Sequence, residues 1–186
     1  MMQRSNRTED EIQLRILATS DLHATIRGFD YCSELPLAGR GLEGAAALIG
    51  QLRRQVRNSL LVDNGDFLQG NPLADLYADP ARARVHPVVA AMNALAYDAA
   101  ALGNHEFNYG LAALRHALGA ARFPTLCANI APLGAEPPVA RPHILLDRTL
   151  VHSSGRLQPL RIGLFGLLPP QVMTWDRRHL EGRAAV

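Results

Sequence analysis

Lysine is absent from this sequence, and all 19 basic residues are arginine. They are scattered and offset by 17 acidic residues, leaving a formal charge of +2. A binding stripe for a nucleic-acid polymer would cluster them, so the arginine-only usage is read as codon bias. Cysteine is nearly absent too. Cys32 and Cys127 lie far apart with no CxxC spacing, which excludes a zinc-finger framework; two buried free thiols are expected. Long apolar runs are missing, and nothing approaches the roughly 20 residues that cross a bilayer as a helix. The polar opening MMQRSNRTEDEIQ lacks the apolar core of a secretory signal. As written, the chain is expected to be soluble and to stay in the compartment where it is made, with no membrane and no protein partner indicated.

The hydrophobic share of 48% over 186 residues is enough for one globular core. Residues 1–11 read as a disordered, solvated lead-in and 12–186 as the folded part. Leu14–Thr19 reads as a buried strand. Leu42, Ala45, Leu48, Ile49, Leu52 and Val56 recur at helical spacing and predict a helix over 43–57. Leu60–Val62 is the next strand, and His86–Tyr97 a helix opened by Pro87. Ala99–Leu102 leads into a third helix, Leu111–Leu118. Pro124–Ala128 reads as a strand and 131–142 as a loop. Ile144–Val151 and Leu160–Leu167 suggest an antiparallel pair around Ser153-Ser154-Gly155-Arg156. The tail from Gln171 shows no period. Strand–helix alternation followed by a hairpin predicts a mixed α/β architecture.

Three apolar runs end in polar clusters. Leu14–Ser20 leads to Asp21-Leu22-His23, Leu60–Val62 to Asp63-Asn64-Gly65-Asp66, and Ala99–Leu102 to Gly103-Asn104-His105-Glu106. Strand ends are where sites form in α/β sheets. Asp21 and His23, two apart on an extended strand, would share one face and hold one metal. Gly65 permits a tight turn, and the two oxygens of Asp66 can bridge two cations. Asn104 offers a neutral oxygen to a second metal. His105 diverges from its neighbour and is better placed facing a substrate. Two cations about 3.5–4 Å apart activate water near neutral pH and clamp an in-line phosphoryl transition state. Mixed His, Asp and Asn donors suit Mn, Fe, Co or Zn. His86 reads as a helix-entry residue, His116 as solvated, and His143 and His152 as hairpin residues. Trp175 and Phe165 read as core.

The order DxH…GD…GNHE resembles the metallophosphoesterase (calcineurin-like) superfamily. ATSDLH, LVDNGDFLQGNPLADL, AMNALAYDAAALGNHEFNYGL and IGLFGLLPPQVMTWDRRHLEG resemble its bifunctional 2′,3′-cyclic-nucleotide 2′-phosphodiesterase/3′-nucleotidases, over about residues 14–183. The resemblance implies a β-sandwich flanked by helices in αββα layers, of which this chain holds roughly the N-terminal half. It places Asp21, His23 and Asp66 on a first divalent metal and Asp66 and Asn104 on a second. Asn104 and His105 would meet the phosphoryl group of a small nucleotide. In the related 5′-nucleotidases an Asp stands three residues after that His. Asn108 stands there in this chain, can orient His105 by a hydrogen bond, and fits the cyclic-phosphodiesterase branch. The family's later GHxH-type motif and its nucleotide-binding domain are not in this sequence, and the family is usually exported. Two alternatives accompany this reading: a 5′-nucleotidase or nucleotide-sugar hydrolase, and an inactive fragment that at most binds metal.

Overall fold

The computed structural model describes residues 11–81 and 84–186. In chain order its elements are β1 (Arg15–Thr19), β2 (Phe29–Asp30), β3 (Leu35–Pro36), α1 (Leu42–Arg54), β4 (Ser59–Asp63), α2 (Pro72–Tyr77), α3 (Pro87–Ala94) and β5 (Ala99–Ala101). A 3₁₀ turn (Asn104–Phe107) then leads to α4 (Gly110–Leu118), β6 (Thr125–Leu126), β7 (Ala131–Pro132), β8 (His143–Val151), β9 (Leu157–Phe165), α5 (Val172–Trp175), α6 (Arg177–Leu180) and β10 (Ala184–Ala185).

Four parallel strands pair in the order β1-β4-β5-β6. Alternate residues of a strand face opposite sides, and that divides the core. Leu17, Leu61 and Ala100 join α1, α3 and α4 in the larger cluster, around Ile49, Met92, Leu111 and Leu114. Val62, Ala99 and Leu126 face the other way, onto Ile144, Leu146 and Leu164 of the β8–β9 hairpin. Helices thus cover one face of a mixed α/β sheet and a hairpin begins to cover the other. Buried Asn58 ties the layers. Its Nδ2 donates to Gln13 O and Val151 O, and its Oδ1 accepts from Val151 N, at 2.9, 2.8 and 2.7 Å.

Several expectations are corrected. The β1 strand is not wholly buried, because it is a sheet edge whose hairpin-side residues lie uncovered: Ile16 is 60% exposed. Phe165 (68%) and Trp175 (60%) are exposed rather than core. Phe165 shares the outward face of the hairpin with Leu145 and Leu157, and the single turn of α5 buries Val172 but not Trp175. Cys32 is exposed, Cys127 is buried, and both are free. The expected 131–142 loop contains β7, which pairs with β10, and the tail forms two one-turn helices. Of the expected disordered lead-in, residues 1–10 lie outside the described residues. Glu11 accepts a hydrogen bond from Ser153 N at 3.0 Å.

His86 does sit at the helix entry, as the N-cap of α3, but it is only 3% exposed. Its Nδ1 has no hydrogen-bond partner among the described residues. Burial pushes its imidazole down to about 4. The folded state therefore binds fewer protons than the unfolded chain between about pH 4 and about pH 6.5, and stability falls as pH drops through that window. From pH 7 to pH 5 the loss attributable to His86 is about 2 kcal/mol, at about 1.4 kcal/mol per pH unit below 6.5. Urea unfolding at both pH values checks this. His86→Leu is expected to remove that part of the acid sensitivity; an unchanged pH dependence would refute the assignment.

Candidate functional site

The parallel order places the carboxyl ends of β1, β4 and β5 side by side, so the loops after them meet at one edge of the sheet. Backbone bonds lace the first two loops together. Asn64 N donates to Thr19 O, Asp21 N to Gly65 O, His23 N to Asp66 O and Ala24 N to Phe67 O, at 2.8 to 3.1 Å. The sequence expectation for Asp21 and His23 is corrected in one respect. The strand stops at Thr19, and both residues lie beyond it in left-handed conformations, with φ of 55° and 47°. A turn rather than strand alternation brings His23 Nε2 to 3.7 Å from Asp21 Oδ1.

Six described non-glycine residues have positive φ: Asp21, His23, Ala24, Glu34, Asp66 and Ala96. Three of the six are candidate ligands. Such backbone costs of order 1–3 kcal/mol per residue and collects where side chains must be aimed. Gly65, at φ 101°, lies against the Asn104 loop: a Cβ there would stand 2.4 Å from Gly103 N. Only glycine allows the second and third loops to approach this closely.

Glu106 fastens those two loops. Its side chain is buried, 1% exposed, and accepts four backbone N–H groups: Asp66 (2.8 Å), Phe67 (2.8 Å), Leu68 (3.0 Å) and Gly103 (2.7 Å). Burial raises its carboxyl to about 7 against the pull of those donors. Nothing local in the sequence marks this task; the one signal is an acidic residue directly followed by an aromatic one, Phe107. Asp63 plays a smaller version of the part. It takes the Thr19 hydroxyl at 2.6 Å and Gly65 N at 2.9 Å, and burial raises it to about 6.

The ring nitrogens are sorted by their partners. His23 Nδ1 lies 2.5 Å from Gln69 O. A carbonyl only accepts, so Nδ1 carries the proton and Nε2 keeps its lone pair, as in histidines that bind metals. His105 stacks edge-on against His23 with centroids 4.9 Å apart. Its backbone N–H donates to Asp66 Oδ1 at 2.8 Å, and its Nδ1 lies 2.7 Å from Asn108 Oδ1. Asn104 is half-buried between Gly103 and His105.

The donor set fits a divalent cation in kind. Carboxylates of Asp21 and Asp66, the bare Nε2 of His23 and the neutral amide of Asn104 are oxygen and imidazole donors. Among the described residues no arginine lies within ion-pair distance of Asp21 or Asp66. No three His, Cys, Asp or Glu side chains among them yet close on one point. One Asp21 oxygen is turned to the Ser20 hydroxyl; with 62% of its side chain exposed, Asp21 has room to swing back. Three other histidines have partners elsewhere or face solvent. His116 Nε2 lies 3.3 Å from Arg84 O, His152 Nδ1 lies 2.8 Å from the Ser154 hydroxyl, and His143 is exposed.

A family model of the calcineurin-like phosphoesterases matches residues 14–159. The chain belongs to the calcineurin-like phosphoesterases. Proteins of this family use divalent metal ions, generally two. This phosphoesterase chain is 41% identical over 177 residues to a 2′,3′-cyclic-nucleotide 2′-phosphodiesterase/3′-nucleotidase of Haemophilus influenzae, covering 94% of this chain and 27% of that protein. It is 40% identical over 123 residues to human 5′-nucleotidase, covering 63% of this chain and 20% of that one. The crystal structure of the calcineurin-like phosphoesterase YfkN from Bacillus subtilis matches it with a TM-score of 0.87 at 42% identity, over 94% of this chain and 54% of that chain. The phosphoesterase chain thus spans 27% of the length of the cyclic-phosphodiesterase relatives it matches.

Proposed function

We propose that this chain carries the metal-binding loops of a nucleotide phosphohydrolase that opens 2′,3′-cyclic nucleotides to 3′-nucleotides and then removes the 3′-phosphate. The observation that supports it is the meeting of Asp21-His23, Asp66 and Asn104-His105 on three laced loops. Asp21, His23 and Asp66 would hold one divalent ion, and Asp66 and Asn104 a second, of Mn, Zn, Fe or Co. When bound, such ions activate water and offset the charge that builds on phosphorus.

The chain's own residues supply the rest. Asp66 presents its carboxylate from a loop that Glu106 immobilises, so little reorganisation accompanies binding. His105, with Nδ1 occupied by Asn108, has Nε2 available for the phosphoryl group or the departing ribose oxygen. The 2′ oxygen leaves when the cyclic diester opens, and the 3′ oxygen leaves in the second reaction. Each needs a proton, and His105 as imidazolium, its Nδ1–H held by Asn108, would give it from Nε2 and be left with Nε2 bare.

The test is hydrolysis of 2′,3′-cyclic AMP, 3′-AMP and 5′-AMP by the protein with added Mn²⁺. The cyclic and 3′ substrates are expected to exceed 5′-AMP by about tenfold or more in kcat/KM, the smaller end of what a built pocket discriminates. Preference for 5′-AMP would overturn the proposal in favour of the 5′-nucleotidase reading, which the 40% identity to the human enzyme supports as runner-up.

A further inference from the structure

We propose that Asp176 is a positioning residue for His105, acting through Asn108 to fix which ring nitrogen carries the proton. This rests on the reading of His105 as the group that faces the phosphoryl. Asp176 lies between α5 and α6, 68 residues from Asn108 in sequence, and is 4% exposed. Its Oδ1 accepts from Asn108 Nδ2 at 2.9 Å. Its Oδ2 is buried and has no hydrogen-bond partner among the described residues. The neighbouring arginines do not pair with it: Arg177 holds Glu181 at 2.7 Å, and Arg178 Nε donates to His179 Nε2 at 3.0 Å. A carboxylate kept only to anchor the tail would be expected to collect several donors, because a half-satisfied buried carboxylate destabilises the fold.

The polarity of the chain follows from what each group can do. A carboxylate only accepts, so Asn108 must turn its NH₂ toward Asp176. The amide oxygen then faces His105 Nδ1 at 2.7 Å. That oxygen also only accepts, so Nδ1 must carry the hydrogen. In the neutral ring Nε2 is left bare. Without Asp176 the two ends of the amide are interchangeable, and a flipped Asn108 would donate to Nδ1 and move the ring proton to Nε2. The flip is blocked because it would set the amide oxygen against the carboxylate oxygen. Asp176 thus specifies at two removes what Gln69 O specifies directly for His23. The two edge-on rings share one tautomer, with both Nε2 atoms free.

The test reads the tautomer itself, in metal-free protein labelled with ¹⁵N at histidine, by two-bond ¹H–¹⁵N imidazole couplings. In the wild type, His105 is expected as the Nδ1–H form, and an Nε2–H ring would overturn the proposal at once. Asp176→Ala is expected to convert His105 to a mixture or to Nε2–H while His23 stays Nδ1–H. A folded Asp176→Ala that retains pure Nδ1–H at His105 would also overturn it. Asp176→Asn tests the same point in a variant that keeps the packing. Its own amide oxygen can accept from Asn108 and should rescue the Nδ1–H form. Asn108→Asp combined with Asp176→Asn should restore it too, with the carboxylate now beside the ring; a double variant with an Nε2–H ring would count against the chain. None of these spectra needs bound metal or turnover. Failure of the phosphohydrolase reading would leave them unchanged, whereas failure of this inference would leave metal uptake intact.

Discussion

Replacing Glu106 with alanine is expected to cost this protein most of its stability. Four backbone N–H groups end on one buried carboxylate, and alanine would leave all four unpartnered. Hydrogen bonds contribute about 0.5–1.5 kcal/mol each to a neutral acceptor and about 1.5–3 to a charged one, and the four share one carboxyl, so a total of about 5 kcal/mol is expected above pH 7 and less below it. That is comparable with the whole margin of a marginal domain, about 5–15 kcal/mol. The melting temperature should fall by about 10–20 °C at this chain length. Glu106→Gln should lose about half as much, since its amide oxygen keeps two donors while its NH₂ faces the other two. Calorimetry gives the size, and amide hydrogen exchange gives the place. Asp66, Phe67, Leu68 and Gly103 should lose protection first. A Glu106→Ala protein melting within a degree or two of the parent would show that the loops are held by something else.

The second large effect is on metal uptake. Asp66→Asn together with Asn104→Ala replaces a charged donor by a neutral amide and removes the neutral donor of the adjoining loop. Changing a group that merely orients a ligand costs about 10–100-fold in affinity, so losing one direct donor and the charge of another should cost about 1000-fold or more. Turnover of a cyclic nucleotide should fall by at least that factor. Both positions accept changes without opening the core, because Asp66 and Asn104 are only half-buried, and melting temperatures should stay within a few degrees. A double variant that keeps its turnover would remove both residues from the site.

How much of this was legible follows from which interactions are local. The three polar clusters could be read because each follows an apolar run, and a parallel sheet puts such ends together. Helix α1 was readable from its periodicity, α3 from the Pro87 that opens it and α4 from the Gly119 that ends it, each to within a few residues. What failed was geometry inside the loops. Asp21 and His23 look like same-face strand residues, yet they lie past the strand end with positive φ, held by hydrogen bonds they donate to carbonyls of the Asp66 loop, which no spacing rule reveals. Glu106 and Asp176 were missed as working groups for a related reason. Three of the four partners of Glu106 stand 38 to 40 residues away and that of Asp176 stands 68 away, and a single sequence does not show long-range pairing. The exposure of Trp175 and Phe165 was missed because hydropathy alone does not say which face of a short element finds a partner.

The central claim is that one sheet edge gathers Asp21, His23, Asp66 and Asn104 around divalent ions. Adding substoichiometric Mn²⁺ to the ¹⁵N-labelled protein tests it most directly, since the ion's unpaired electrons broaden nearby amide signals. The expected result is selective loss of signals from residues 20–24, 64–68 and 103–106, abolished by Asp66→Ala. Uniform broadening, or loss centred anywhere else on the chain, would contradict it.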